Sequence, residues 1–181
     1  LWGLLGLAGG EEGKSLVVRV VGRVGPPNAT TLAAVLAVGS DAAGIWCGDS
    51  RVYLITSNGV DPLTRDHSWA EGVVRAGIMT AEKAAADYRS HMITRWLGIQ
   101  QEGIPSAETF RLNLKPGDVL LACSDGLYAF VAPPAASPED LGRALLHAKD
   151  DLSARLDRLI DMAMDRGGHD DVTGAAIELL A

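Results

Sequence analysis

The sequence predicts an α+β fold in which antiparallel sheet carries helices packed on its faces. Three observations lead there. Short β-branched and aliphatic runs recur with turn residues between them. Helix-forming stretches are grouped between those runs rather than alternating with them one by one. One long amphipathic segment stands near the C-terminus. Composition agrees, because 48% of the 181 residues are hydrophobic and 22% are charged. That is enough for one domain with a sizeable core and too apolar for a disordered chain.

The chain opens on Leu1-Trp2-Gly3-Leu4-Leu5-Gly6-Leu7, which is far too short to span a bilayer and lacks the basic start of a signal peptide. The next clear run, Leu16-Val17-Val18-Arg19-Val20-Val21, reads equally well as a strand or a helix. Residues 30–38 form a buried strand ended by Gly39-Ser40-Asp41. Residues 44–47 and 51–56 are strands around a Gly48-Asp49-Ser50 corner, and Asn58-Gly59 closes a hairpin because both residues tolerate positive φ. Residues 69–76 and 81–88 carry helix formers, with Thr80 as an N-cap, and residues 92–97 offer a short third piece. Thr109-Phe110-Arg111-Leu112-Asn113-Leu114 alternates strictly, Lys115-Pro116-Gly117-Asp118 turns, and residues 119–123 form a fully buried strand. Ser137-Pro138-Glu139-Asp140 then opens one long helix with Leu141, Leu145, Leu152, Leu156, Leu159 and Ala163 on one face. Gly167-Gly168 ends it, and residues 172–180 supply a last strand.

The net charge is −7 and the pI about 5.0. With no basic run anywhere, nucleic acid and anionic membrane are set aside as partners, and a cytoplasmic location is the default. Cys47 and Cys123 each end an apolar run and read as buried small hydrophobes.

Three acidic spots lie where an apolar strand gives way to glycine or a polar residue. Asp125 follows Cys123-Ser124, Asp170 and Asp171 precede the last strand, and Asp66 lies in Leu63-Thr64-Arg65-Asp66-His67-Ser68. Carboxylates at strand ends can converge on one sheet edge, and such hard oxygen donors suit Mg²⁺ or Mn²⁺. Taken singly, aspartates of this kind are more often turn formers and caps. Asp49 and Arg51 read as a buried hydrogen-bonding pair, His169 as a loop histidine, His147 as a solvent-facing helix residue, and Trp46 and Tyr53 as packing.

Six stretches in order carry a family resemblance. They are Ala29-Thr30-Thr31-Leu32-Ala33, Gly48-Asp49-Ser50-Arg51-Val52-Tyr53-Leu54, and Leu63-Thr64-Arg65-Asp66-His67-Ser68. They continue with His91-Met92-Ile93-Thr94-Arg95 and Leu97-Gly98, Pro116-Gly117-Asp118 running into Ser124-Asp125-Gly126-Leu127, and Asp170-Asp171-Val172-Thr173. Together they resemble the metal-dependent serine/threonine protein phosphatases (PPM, protein phosphatase 2C type), with spacing closest to the bacterial members.

The resemblance implies a β-sandwich of two antiparallel sheets flanked by helices, in α-β-β-α layers. It makes Asp125 and Asp170 ligands of a binuclear Mn²⁺ or Mg²⁺ centre, and Asp66 a ligand of a third, weaker ion shared with Asp125. A flap that opens at Trp69 and closes at His91 would lie beside the site and influence substrate choice. The reaction is phosphomonoester hydrolysis by metal-activated water, so Cys123 and Ser124 stay structural. Substrates would be phosphoserine and phosphothreonine proteins, and a cognate Ser/Thr kinase is the expected partner.

On this reading residues 29–181 are a phosphatase catalytic domain and residues 1–28 a divergent or truncated N-terminal segment. That segment holds no Asp-Gly-x-Gly-Gly-His and no phosphate-binding arginine of the family pattern, so no catalytic general acid is identified. The expectation is a fragment with an incomplete site and little hydrolysis of p-nitrophenyl phosphate. The alternative is a catalytically inactive phosphatase-like module that binds phosphoproteins or a kinase. Asp66, the flap and the Gly48-Asp49-Ser50-Arg51 motif favour a general protein phosphatase over one serving an anti-sigma-antagonist switch.

Overall fold

The structure is a computed structural model that describes residues 15–23, 29–98, 107–131, 139–146 and 150–180. Its strands form two antiparallel sheets. In the first, β1 (Ser15–Arg23), β2 (Ala29–Val38), β3 (Asp41–Cys47) and β7 (Glu108–Asn113) lie in that order, and the short β6 (Leu97–Gly98) also pairs with β2. In the second the order is β5 (Gly59–Pro62), β4 (Arg51–Thr56), β8 (Val119–Cys123) and β9 (Gly174–Glu178).

Strand alternation divides the apolar residues between two layers. Between the sheets lies a core of mostly small side chains, in which Ala33, Val35, Ala37 and Ala42 of the first sheet meet Leu120, Ala122, Ala175 and Ile177 of the second. The opposite face of the second sheet presents Tyr53, Ile55, Leu121 and Cys123 to three helices, α3 (Asp125–Val131), α4 (Glu139–Leu146) and α5 (Leu152–Asp165). The outer face of the first sheet is open among the described residues, with Leu36 42% and Ile45 40% exposed. The α+β class and the antiparallel sandwich are as the sequence predicts.

Three elements differ from the sequence reading, and a fourth that it left open is settled. Helix α3 has no counterpart in it, because Gly126, Tyr128 and Phe130 are weak helix formers. Burial of Leu127, Tyr128 and Val131 against the second sheet holds the helix instead. The expected single long helix is two, since α5 starts afresh at Asp151, whose carboxylate accepts the Ala154 N–H at 2.8 Å. Leu145 and Leu152 share one core, so the apolar period runs on across the break; His147 lies outside the described residues. Residues 92–97 form no helix, because Ile93 bridges to Ser68 and Leu97 pairs with Thr30 of β2. Finally, the ambiguous run at Leu16 is strand, paired along its length from Ser15 opposite Val38 to Arg23 opposite Thr30. Strand β1 therefore joins the same sheet as β2, from within residues 1–28.

Candidate metal centre

The centre is built where β8 and β9 meet. All five residues of β8 are buried, and the chain leaves the sheet at Ser124. The Ser124 N–H donates to the Thr173 carbonyl at 3.0 Å, its hydroxyl accepts the Thr173 N–H at 3.0 Å, and that hydroxyl donates to the Asp171 carbonyl at 3.1 Å. One serine thus stitches the start of α3 to the approach to β9. Gly126 permits the closeness, since a Cβ there would sit 2.4 Å from the Asp171 carbonyl oxygen. As a result Asp125, at the first turn of α3, lies within reach of the charge of Asp170 on the approach to β9.

Among the described residues neither carboxylate forms a salt bridge. Desolvation by the surrounding protein, ahead of the charge of Asp170, raises Asp125 above its ordinary pKa, although its side chain keeps access to solvent. His91 is close enough to act weakly in the opposite sense. Asp49, half-buried at the Gly48-Asp49-Ser50 corner, is pushed up to about 6 by burial, then by the charges of Asp125 and Asp66.

Asp66 is held differently. The Leu63 N–H donates to the Val52 carbonyl, the Val52 N–H to the Thr64 hydroxyl, and the His67 N–H to the Gly48 carbonyl. These bonds lay residues 63–67 along the corner that ends in Arg51. There Arg51 Nε and Nη2 donate to the two carboxylate oxygens of Asp66, both at 2.8 Å. The guanidinium stacks 3.8 Å from the centroid of Tyr128 on α3, and its Nη1 reaches the Tyr53 hydroxyl at 3.1 Å. The sequence reading paired Arg51 with Asp49; the partner is Asp66, because the loop hydrogen bonds bring that carboxylate to the fork. Gly48 makes the corner possible, with φ +108° and the Thr31 side chain where a Cβ would be.

Just before the expected flap, the Ser68 hydroxyl accepts the Glu71 N–H and caps α1 (Trp69–Arg75). Thr80 caps the short α2 (Ala81–Ala85), as expected from the sequence, though the helix ends earlier than residue 88. Bonds from Trp69 N–H to the Met92 carbonyl and from Thr94 N–H to the His67 carbonyl close its base. Arg89 lies 3.9 Å over Trp69 while gripping Asp87 through two bonds of 2.8 and 2.9 Å.

Several residues carry more than the sequence signalled. His67 is buried, accepts the Gly48 N–H on Nδ1 at 3.0 Å, stacks against Trp46, and meets Glu108 through Nε2. Tyr128 comes with the unexpected α3, and its i+3 spacing from Asp125 was the available clue. Trp46 is packing, as expected, with its indole N–H on the Arg65 carbonyl at 2.8 Å. His169 is an exposed loop residue against Phe130. Both cysteines are buried free thiols, and burial pushes Cys123 up to about 12.

The donor set fits a hard divalent cation as far as Asp125 and Asp170 go, since their charges act on each other and neither has a salt bridge among the described residues. It does not extend further among the described residues, where no group of three or more His, Cys, Asp or Glu side chains is placed to hold a metal. Asp66, with both oxygens on Arg51, is not drawn together with the pair.

Comparison with known proteins agrees with this fold. The family model described as Stage II sporulation protein E (SpoIIE) matches residues 51–179. The serine/threonine phosphatase stp of Listeria welshimeri is 36% identical over 149 residues, covering 82% of this chain and 56% of that protein. The solved Streptococcus agalactiae serine/threonine phosphatase superposes with a TM-score of 0.74 at 31% identity, over 82% of this chain and 57% of the other. The catalytic domain of the serine/threonine protein phosphatase PstP, solved in complex with 2 manganese ions, gives a TM-score of 0.63 at 28% identity, over 82% of this chain and 57% of that one. The chain thus spans a little over half the length of the curated relatives it matches. On motif order, sandwich topology and these similarities, it belongs to the bacterial PPM-type serine/threonine protein phosphatase family.

Proposed function

We propose that the chain supplies Asp125 and Asp170 to a Mn²⁺ or Mg²⁺ site that serves hydrolysis of phosphoserine and phosphothreonine in proteins. The observation that carries this reading is the stitching of β8 to β9, which brings the Asp170 charge within reach of Asp125, with no salt bridge to either among the described residues. When bound, such a cation supplies Lewis acidity toward water and phosphoryl oxygens. The chain's own residues do the positioning. Ser124 and Gly126 fix the spacing of the carboxylates, and Asp49 adds a third acidic group to the local field. Asp66 is proposed as the ligand of a weaker ion, and residues 69–91 as the surface met by the phosphorylated segment. In support of the flap, His91 is within electrostatic reach of Asp125. The substrates would be phosphoproteins, and a cognate Ser/Thr kinase the partner that makes them. Among the described residues no helix is long and apolar enough to cross a membrane.

Calorimetric titration with Mn²⁺ tests the reading on the chain itself. Binding that is lost in both Asp125→Asn and Asp170→Asn is expected. Binding in either variant as strong as in the unsubstituted chain would sink it.

A further inference from the structure

Three contacts meet on the Arg51 guanidinium, and one of them belongs to the helix that carries Asp125. Nε and Nη2 donate to the two oxygens of Asp66 at 2.8 Å, and Nη1 reaches the Tyr53 hydroxyl at 3.1 Å. Held on two sides in this way, the flat cation lies 3.8 Å over the centroid of the Tyr128 ring. Helix α3 needs such a hold. It has seven residues and poor propensity, and burial of Leu127 and Val131, one turn apart on one face, sets which side packs into the core. Packing through one face leaves the roll of so short a helix loosely set. Tyr128, also buried, lies off the Leu127–Val131 line and three residues after Asp125, so Asp125 and Tyr128 are neighbours on the helix surface. Whatever stops Tyr128 from turning also fixes the direction in which Asp125 is presented. The stitch at Ser124 holds the backbone before the helix and does not set the roll of the turns that follow.

We propose that Arg51 is a positioning residue for Asp125: braced on the Asp66 carboxylate, it clamps the Tyr128 ring and so fixes the roll of α3 that aims Asp125 toward Asp170. The proposal rests on the cation reading of the Asp125–Asp170 pair and asks nothing of Asp66 as a ligand. Asp66 serves here as the counter-ion that keeps the guanidinium flat against the ring. Groups that orient a metal-binding side chain without touching the ion govern affinity by about 10–100-fold.

The test is a calorimetric Mn²⁺ titration of the full chain and of Arg51→Lys, Tyr128→Leu and Tyr128→Phe, with urea denaturation in EDTA alongside. Lysine keeps the charge and loses the planar fork. Leucine keeps apolar bulk and loses the ring, whereas phenylalanine keeps the ring. Asp125-dependent binding is expected to weaken by about 10–100-fold in Arg51→Lys and Tyr128→Leu, and to stay within a few-fold of the unsubstituted chain in Tyr128→Phe. An arginine that merely stabilises the fold would, when replaced, lower the urea midpoint and leave the affinity of the folded protein unchanged. That result in Arg51→Lys and Tyr128→Leu, or binding as weak in Tyr128→Phe as in Tyr128→Leu, would overturn the proposal.

Should Tyr128→Leu fail to fold, Arg51→Lys and the NMR spectrum of the metal-free protein decide. The Gly126 N–H donates to Asp125 Oδ1 at 3.0 Å, so its amide signal reports on that carboxylate. The signal is expected to shift in Arg51→Lys and to keep its place in Tyr128→Phe. A signal unmoved in Arg51→Lys refutes the idea. Asp125-dependent binding that Arg51→Lys leaves intact would defeat this proposal alone. Absence of any Asp125-dependent binding in the unsubstituted chain would defeat the cation reading, and the metal-free amide signal would then decide whether Arg51 sets the position of Asp125.

Discussion

Asp66 and Asp125 both follow an apolar segment at the same end of the sandwich, yet their surroundings are opposite. Asp66 is neutralised in place by Arg51, with two hydrogen bonds and a stacked guanidinium behind them. Asp125 is raised by desolvation and then by the charge of Asp170. A paired carboxylate stabilises the metal-free fold, whereas an unpaired couple leaves a local excess of negative charge that a cation can relieve. The first arrangement is complete without a ligand and the second is not.

The sharpest way to break this contrast is Asp170→Asn. It should weaken tight Mn²⁺ binding by more than about 10–100-fold, the range that even an outer-shell partner is worth. Asp66→Asn should leave the tight class within a few-fold. Calorimetry that reversed the ranking would show that the two carboxylates had been given the wrong roles.

Removing the counter-charge probes the other half. Arg51→Met is expected to destabilise the metal-free chain by about 1–3 kcal/mol, because a half-buried carboxylate is left unpaired. Asp125→Asn should cost nothing in EDTA, since it relieves repulsion and its amide oxygen can still accept the Gly126 N–H. Urea denaturation of both variants makes the comparison.

Gly126→Ala acts on the spacing itself. The added methyl would meet the Asp171 carbonyl oxygen at 2.4 Å, so α3 must move from the approach to β9. A loss of about 1–3 kcal/mol is expected, together with weaker Mn²⁺ binding. Wild-type affinity in a destabilised protein would show that the spacing of Asp125 and Asp170 is not what sets binding.

The smallest effect concerns His67, the hub beside Asp66. Burial holds its imidazole below the ordinary value, against the pull of Glu108, with Arg95 and Asp66 also facing it. Because Nδ1 accepts the Gly48 N–H, the neutral ring carries its proton on Nε2, toward Glu108. Below about pH 6.5 the unfolded chain therefore binds more protons here than the folded one, and stability rises with pH. The contribution is full above that value and is lost as pH falls toward the lower folded value. Asp49 and Asp125, raised by burial, act in the opposite sense, so the test is the difference: the urea midpoint of the chain should fall relative to that of His67→Gln between pH 7 and pH 5. An unchanged difference would assign the dependence to other groups.

Much of the fold is legible in the chain because its signals are local. Strict alternation marks residues 109–114, and Asn58-Gly59 marks the hairpin between β4 and β5. Helix α3 is not legible, since seven residues with a glycine and two aromatics have no helical propensity to display before the sheet buries them. The division between α4 and α5 hides behind an apolar period that runs across it, and its one local sign is the cap at Asp151. At the site, the positions of Asp125, Asp170 and Asp66 could be named from strand ends and motif order. The partner of Arg51 could not, because Asp49 is nearer in sequence while Asp66 arrives through loop hydrogen bonds that no local pattern encodes.

Thermal melting with and without Mn²⁺ tests the central claim most directly, carried out on the chain, Asp125→Asn and Asp66→Asn. A cation that binds only the folded state adds about 2.7 kcal/mol when present at a hundred times its dissociation constant. The predicted result is a Mn²⁺-dependent rise in melting temperature for the chain and for Asp66→Asn, and none for Asp125→Asn. An equal rise in Asp125→Asn would contradict the account.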